Sequence, residues 1–126
     1  RACRELGVVV LAYSPLAQGR LTGKYSTSRP PLGVRRFSDY PMTAVAPVID
    51  ALRRAGERYQ KTQAQVALNW IICKGAVPIP GAKNREQAEQ NAGTLGWELE
   101  PEDVAALDRV ALSGRRTLFH RLWQHG

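Results

Sequence analysis

Cysteine is scarce: Cys3 and Cys73 are the two in 126 residues. They lie far apart with no C-x-x-C or Cys/His spacing, which excludes a disulfide framework and gives no zinc site. Both are expected to be reduced thiols in the core. Also missing is any run of the roughly 18–20 uninterrupted apolar residues that a membrane span needs, and the chain opens without the basic-then-apolar pattern of a secretory signal. No G-x-G-x-x-G follows the first apolar run and no G-x-x-x-x-G-K-S/T loop occurs, so neither a Rossmann fingerprint nor a P-loop is present. Ser14 lacks the G-x-S-x-G setting of a hydrolase nucleophile, and His120 and His125 stand in a tail that gives no reason to place them beside it. The formal charge of +7 raises nucleic acid as a partner, because clustered Lys and Arg neutralise phosphates. Here the basic residues are scattered, and no helix-turn-helix, zinc-finger or aromatic RNA-binding signature accompanies them. The expectation is therefore no nucleic acid and no membrane, with a phosphate-bearing small ligand accounting for part of the basicity.

What is present is the composition of a core-forming chain, 44% hydrophobic and 23% charged. Arg1 to Leu6 followed by Gly7 reads as the last turns of a helix and its Gly stop, so the chain is expected to start partway through a larger protein. Val8-Val9-Val10-Leu11-Ala12 is a continuous apolar, β-branched run, as in a strand buried on both faces. From Ala17 to about Met42 the Gly, Pro, Ser and Arg content predicts a long loop containing at most a turn of helix. Val45, Val48, Ile49, Leu52, Gly56 and Tyr59 then fall on one face at helical spacing, predicting a helix over 44–59 with Pro47 in its first turn.

Thr62-Gln63-Ala64-Gln65 has capping-box spacing and opens a second helix that runs to about Lys74. Its apolar residues cover most of the circumference, which predicts burial on more than one side. Ala76 to Pro80 is a short strand whose two prolines cannot donate to a ladder, so it must end early or hold a special place in its sheet. Asn84 caps a helix to about Gly93, and Pro101 opens another with Val104, Leu107 and Val110 inward. In the tail, Leu118, Phe119, Leu122 and Trp123 fit either a short helix laid on the body or a frayed basic terminus. Two buried strands alternating with helices mean a parallel sheet with helical crossovers, and two strands alone close nothing. The fold class predicted is α/β, as a piece of a barrel or doubly wound sheet.

Ligands in α/β folds sit at the C-terminal ends of parallel strands. After the first strand, Tyr13 to Tyr25 combines a flat aromatic face, a hydroxyl, a glycine-bearing loop and two cations, a set able to stack on a planar ring and hold a pyrophosphate. After the second, Pro80-Gly81-Ala82-Lys83-Asn84-Arg85 leads into a capped helix whose N-terminal amides and dipole favour an anion, with Lys83 and Arg85 adding charge. Gln87, Gln90 and Asn91 share one face of that helix at i, i+3 and i+4. Two readings of this stripe stand: a solvated helix face, or contacts to an adenine or adenosine phosphate.

In that order, YSPLAQGRLTGKY, TQAQVALNW and IPGAKNREQAEQNAGTLGW resemble the aldo/keto reductases, over nearly the whole chain. The resemblance implies a (β/α)8 TIM barrel, with Val8 to Tyr13 as its seventh strand and Ala76 to Pro80 as its eighth, residues 1–126 being the C-terminal part of the domain. Carried over by position, it implies NADP(H) as cofactor: Tyr13 beneath the nicotinamide; Ser14, Leu16 and Lys24 along the pyrophosphate; Gly81, Lys83, Gln87, Gln90 and Asn91 at the adenosine end. Lys83, with Arg85 nearby, resembles the charge that reads a 2′-phosphate, which favours NADPH over NADH. The family often has Glu where Gln90 stands. Its catalytic Asp, Tyr, Lys and His come from earlier strands, so no catalytic residue and no metal ligand is assigned in this chain. The substrate implied is a small aldehyde. NWIICKGAVPIPGAK and FHRLWQ are most similar to a plastid branch of the family that reduces pyridoxal, which implies a plastid setting. A non-catalytic subunit that keeps the cofactor site, as the potassium-channel β-subunits of the family resemble, is the alternative.

Overall fold

The computed structural model describes residues 2–32 and 40–112. The tail pattern at Leu118 to Trp123, and Arg35 and Arg36 of the long loop, lie outside them. A short helix α1 (Ala2–Glu5) leads into strand β1 (Val10–Tyr13), 3-10 turns over Ala17–Thr22, helices α2 (Met42–Tyr59) and α3 (Gln63–Cys73), strand β2 (Ala76–Ile79), and helices α4 (Arg85–Ala92) and α5 (Pro101–Val110). The order matches the alternation read from the sequence, and α2 begins two residues before the expected start.

β1 and β2 pair in parallel with Val10 opposite Ala76 and Tyr13 opposite Ile79. Pro78 lies opposite Ala12, and the strand stops before Pro80, so the prolines shorten it as expected. Burial of the strands is where the expectation fails: Val10, Leu11, Tyr13, Val77 and Ile79 are all exposed. A two-stranded parallel sheet leaves both edges unpaired, and among the described helices α3 alone packs closely against β2. Apolar side chains that sequence reasoning assigns to a core thus stand bare.

The core lies in the helical layer instead. Ala51, Leu52 and Ala55 of α2 meet Val66 and Ala67 of α3, Leu107 of α5, and Leu99 in the segment before α5. The i, i+3, i+4 spacing on α2 is what turns these residues to one side. The close approach at the α2–α3 corner depends on Gly56: Gln60 takes a left-handed φ of 53°, and the Lys61 amide donates to the Gly56 carbonyl at 2.9 Å. Thr62 and Gln65 form the expected capping box. Cys3 and Cys73 are free but exposed, a correction to the core position expected of them, because α1 packs on little and Cys73 falls in the last turn of α3.

Candidate functional site

Because Tyr13 and Ile79 are register partners, the two polar loops singled out in the sequence leave the sheet side by side at its C-terminal end. Tyr13 is 68% exposed at that end. Beyond it the backbone is strained: Ser14, Ala17 and Gln18 have φ of 50°, 49° and 56°, a left-handed conformation disfavoured for residues bearing a Cβ. Such conformations persist only where surrounding bonds impose them, and they cluster at ligand sites. Here the Ala17 amide donates to the Ser14 carbonyl at 3.0 Å, and the Gly19 amide to the Leu16 carbonyl at 2.9 Å. Thr22 Oγ1 donates to the Gly19 carbonyl at 2.8 Å and accepts the Lys24 amide at 3.3 Å. Leu16 is half-buried against the core, Ser14 and Lys24 are exposed, and the Lys24 ammonium lies 5.6 Å from the Tyr25 ring centre. Behind this loop is a largely apolar cavity of about 270 Å³ lined by Pro15, Leu21, Val48, Trp70 and Leu107, a setting for packing rather than for phosphate.

The second loop is fastened to the helix that follows it. Asn84 Oδ1 accepts the Gln87 amide at 2.9 Å, the expected N-cap. Gln87 Oε1 accepts the Lys83 amide at 2.9 Å, and Asn91 Nδ2 donates to the Gly81 carbonyl at 3.4 Å. Two members of the polar stripe therefore hold the loop from Gly81 to Lys83 against the helix, an arrangement that neither sequence reading contained. The Gln90 side chain remains exposed. Arg85 departs from expectation: its Nε bonds Glu89 at 2.6 Å along the helix, an i, i+4 pair, so its charge is shared away from the helix start. Among the described residues Lys83 has no ion pair and is the cation left at that end. Only the Gln87 amide takes the cap, which leaves the amides of Arg85 and Glu86 at the positive end of the helix dipole for an anion.

Two residues do more than their sequence pattern indicates. Gln65, which the spacing marks only as a cap, also donates from Nε2 to the Gln90 carbonyl at 2.9 Å. Asn69, 1% exposed, donates from Nδ2 to the carbonyls of Thr94 at 3.1 Å and Trp97 at 2.8 Å, and accepts the Leu99 amide at 3.1 Å. The signal was available: one carboxamide inside the apolar run from Val66 to Cys73 must be satisfied internally. Among the described residues no three His, Cys, Asp or Glu side chains gather as a metal site would require, and no helix is long and apolar enough to cross a membrane.

The family model for the aldo/keto reductase family matches residues 1–112, and the chain belongs to that family. It is 40% identical over 123 residues to the chloroplastic pyridoxal reductase of Arabidopsis thaliana, an alignment covering 97% of this chain and 34% of that protein. Among solved structures, the glycerol dehydrogenase AKR11B4 from Gluconobacter oxydans superposes with a TM-score of 0.74 at 24% identity, over 86% of this chain and 35% of that one. The Bombyx mori aldo-keto reductase AKR2E4, solved in complex with NADP, gives 0.60 at 27% identity, over 86% and 30% respectively. The chain thus spans about a third of the length of the relatives it matches, and its α/β fold with two parallel strands superposes on part of an aldo/keto reductase structure.

Proposed function

We propose that the chain is the C-terminal part of an NADPH-dependent aldehyde reductase, β1 and β2 being the seventh and eighth strands of its barrel and residues 1–126 lying within one domain. The observation that carries this reading is the parallel register that brings the loops after Tyr13 and Ile79 out together. The barrel rule places a phosphate site at the loops after strands seven and eight. The residues present suit a dinucleotide: an exposed aromatic face at Tyr13, a strained polar loop through Ser14 and Leu16 to Lys24, and a capped helix start with Lys83. Tyr13 would face the nicotinamide, Ser14, Leu16 and Lys24 the pyrophosphate, and Gly81, Lys83, Gln87, Gln90 and Asn91 the adenosine end. Bound NADPH would supply the hydride. The proton donor belongs to strands upstream of β1, so this chain binds and orients but does not complete the reaction.

The bare faces of β1 and β2 support a place inside a larger sheet, since exposed Val10, Leu11, Val77 and Ile79 are what neighbouring strands and helices would cover. Pyridoxal is the leading substrate and a plastid the setting, both on the likeness to the Arabidopsis protein. The test joins this chain to the upstream two thirds of the barrel and follows NADPH consumption over an aldehyde panel that includes pyridoxal. Turnover with an aldehyde supports the reading. Saturable NADPH binding without turnover favours a non-catalytic subunit, and neither binding nor turnover rejects a nucleotide site here.

A further inference from the structure

We propose that Gln65 is a positioning residue for the adenosine end of the nucleotide site, acting through the main chain of Gln90. The inference rests on the reading of α4 as the face that holds that end.

No residue of α4 is buried, so the apolar core does not fix this helix in place. Its placement relies on polar ties, and Gln65 makes one of them from α3. Gln65 Oε1 accepts the Thr62 amide at 3.0 Å, while Thr62 Oγ1 accepts the Gln65 amide at 3.2 Å. A capping box needs nothing more, and Glu would serve in it as well as Gln. The Gln65 NH2 group is thereby aimed outward, and it donates at 2.9 Å to the carbonyl of Gln90, in the last turn of α4, where carbonyls have no intrahelical partner. Gly93 lets it in, since a Cβ on that residue would overlap Gln65 Nε2. Gln87, Gln90 and Asn91 share one helix face, so a helix released at Gln90 moves all three together.

Two substitutions separate the tie from the cap. Gln65→Glu keeps the acceptor that the Thr62 amide needs but cannot donate to the Gln90 carbonyl. Thr62→Ala removes half of the cap and leaves the donor in place. Both are measured in this chain and in the chain joined to its upstream strands, by NADPH titration and thermal melting. Gln65→Glu is expected to raise the NADPH Kd about fivefold, in the range of one lost hydrogen bond, with the melting temperature nearly unchanged. Thr62→Ala is expected to lower the melting temperature and leave the Kd within about twofold. Uncharged Gln65→Met is expected to match the Kd of Gln65→Glu, which removes the added charge as the cause. An unchanged Kd in Gln65→Glu overturns the inference, as does a Kd that follows the melting temperature across all three variants. No saturable binding by either unsubstituted protein rejects the nucleotide site itself, and this role with it.

Discussion

The Oδ1 atom of Asn69 accepts the backbone amide of Leu99 at 3.1 Å inside the core, while its Nδ2 holds the carbonyls of Thr94 and Trp97. One side chain thus satisfies three backbone groups of the irregular segment that joins α4 to α5. Asn69→Leu fills similar space but leaves these groups without their partner, and each buried unsatisfied group costs about 1–3 kcal/mol. The variant is expected to lose roughly 3 kcal/mol of stability, read from its urea midpoint. A loss below about 1 kcal/mol would mean that water replaces the carboxamide there.

Gly56 is expected to tolerate no side chain. A Cβ on it would stand 2.6 Å from the Lys61 carbonyl oxygen, which is backbone and cannot swing aside. Alanine gains up to about 1 kcal/mol in helix propensity, yet overpacking typically costs about 1–3 kcal/mol. Gly56→Ala should therefore melt lower than the parent protein, whereas a higher melting temperature would show that the corner relaxes freely.

The elements legible in the sequence were those with a local cause. The Thr62 and Asn84 caps, the apolar face of α2 and Pro101 at the start of α5 each predict a boundary from neighbours within four residues. Strand burial was not legible in this way: β-branched runs report what a strand packs against in its complete sheet, and among the described residues β1 has β2 alone beside it. The polar face of α4 was visible as spacing, but its bonds to Gly81 and Lys83 depend on how the preceding loop turns back, which no local pattern specifies. Gln65 and Asn69 act across 25 to 30 residues of sequence and escaped for the same reason.

Stability should have an acid and an alkaline limb with different owners. Asp108 lies below the ordinary carboxylate value of 3.8, first because Lys74 donates to it at 2.6 Å; desolvation opposes this, and Trp70 Nε1, donating at 2.9 Å, adds a smaller lowering. A depressed pKa contributes stability that is present above 3.8 and lost as pH falls through the folded value. Tyr59 lies above 10.0, first because burial desolvates its phenolate and next because its hydroxyl donates to Asp103 at 2.7 Å. A raised pKa contributes stability present below 10.0 and lost as pH rises through the folded value. Melting temperature against pH should therefore flatten on the acid side in Asp108→Asn and on the alkaline side in Tyr59→Phe. If each variant shifts the whole profile evenly, these titrations are not the source of the limbs.

Lys83 offers the sharpest test of where the 2′-phosphate lies. Its amide is fixed by Gln87 Oε1 at 2.9 Å, so the residue is held at the start of α4 while its ammonium extends from an exposed loop. Arg85 is committed to Glu89 at 2.6 Å, and the Asn84 side chain is used as the cap, which leaves Lys83 to supply charge at that end. A hydrogen bond between charged groups contributes about 1.5–3 kcal/mol, so losing it to a 2′-phosphate corresponds to roughly a ten- to hundredfold weaker NADPH. Lys83→Glu adds repulsion to that loss, whereas NADH has no phosphate at this position and should change only by what the longer-range field contributes, a part that salt screens. Titration of the barrel-joined protein with both nucleotides at moderate salt measures the ratio directly. A fall in NADPH affinity at least tenfold greater than the fall for NADH supports the placement. Equal losses would move the phosphate away from Lys83 and make the side chain a general contributor to anion attraction, and the Arg85–Glu89 pair would then be the next position to open, by Glu89→Gln.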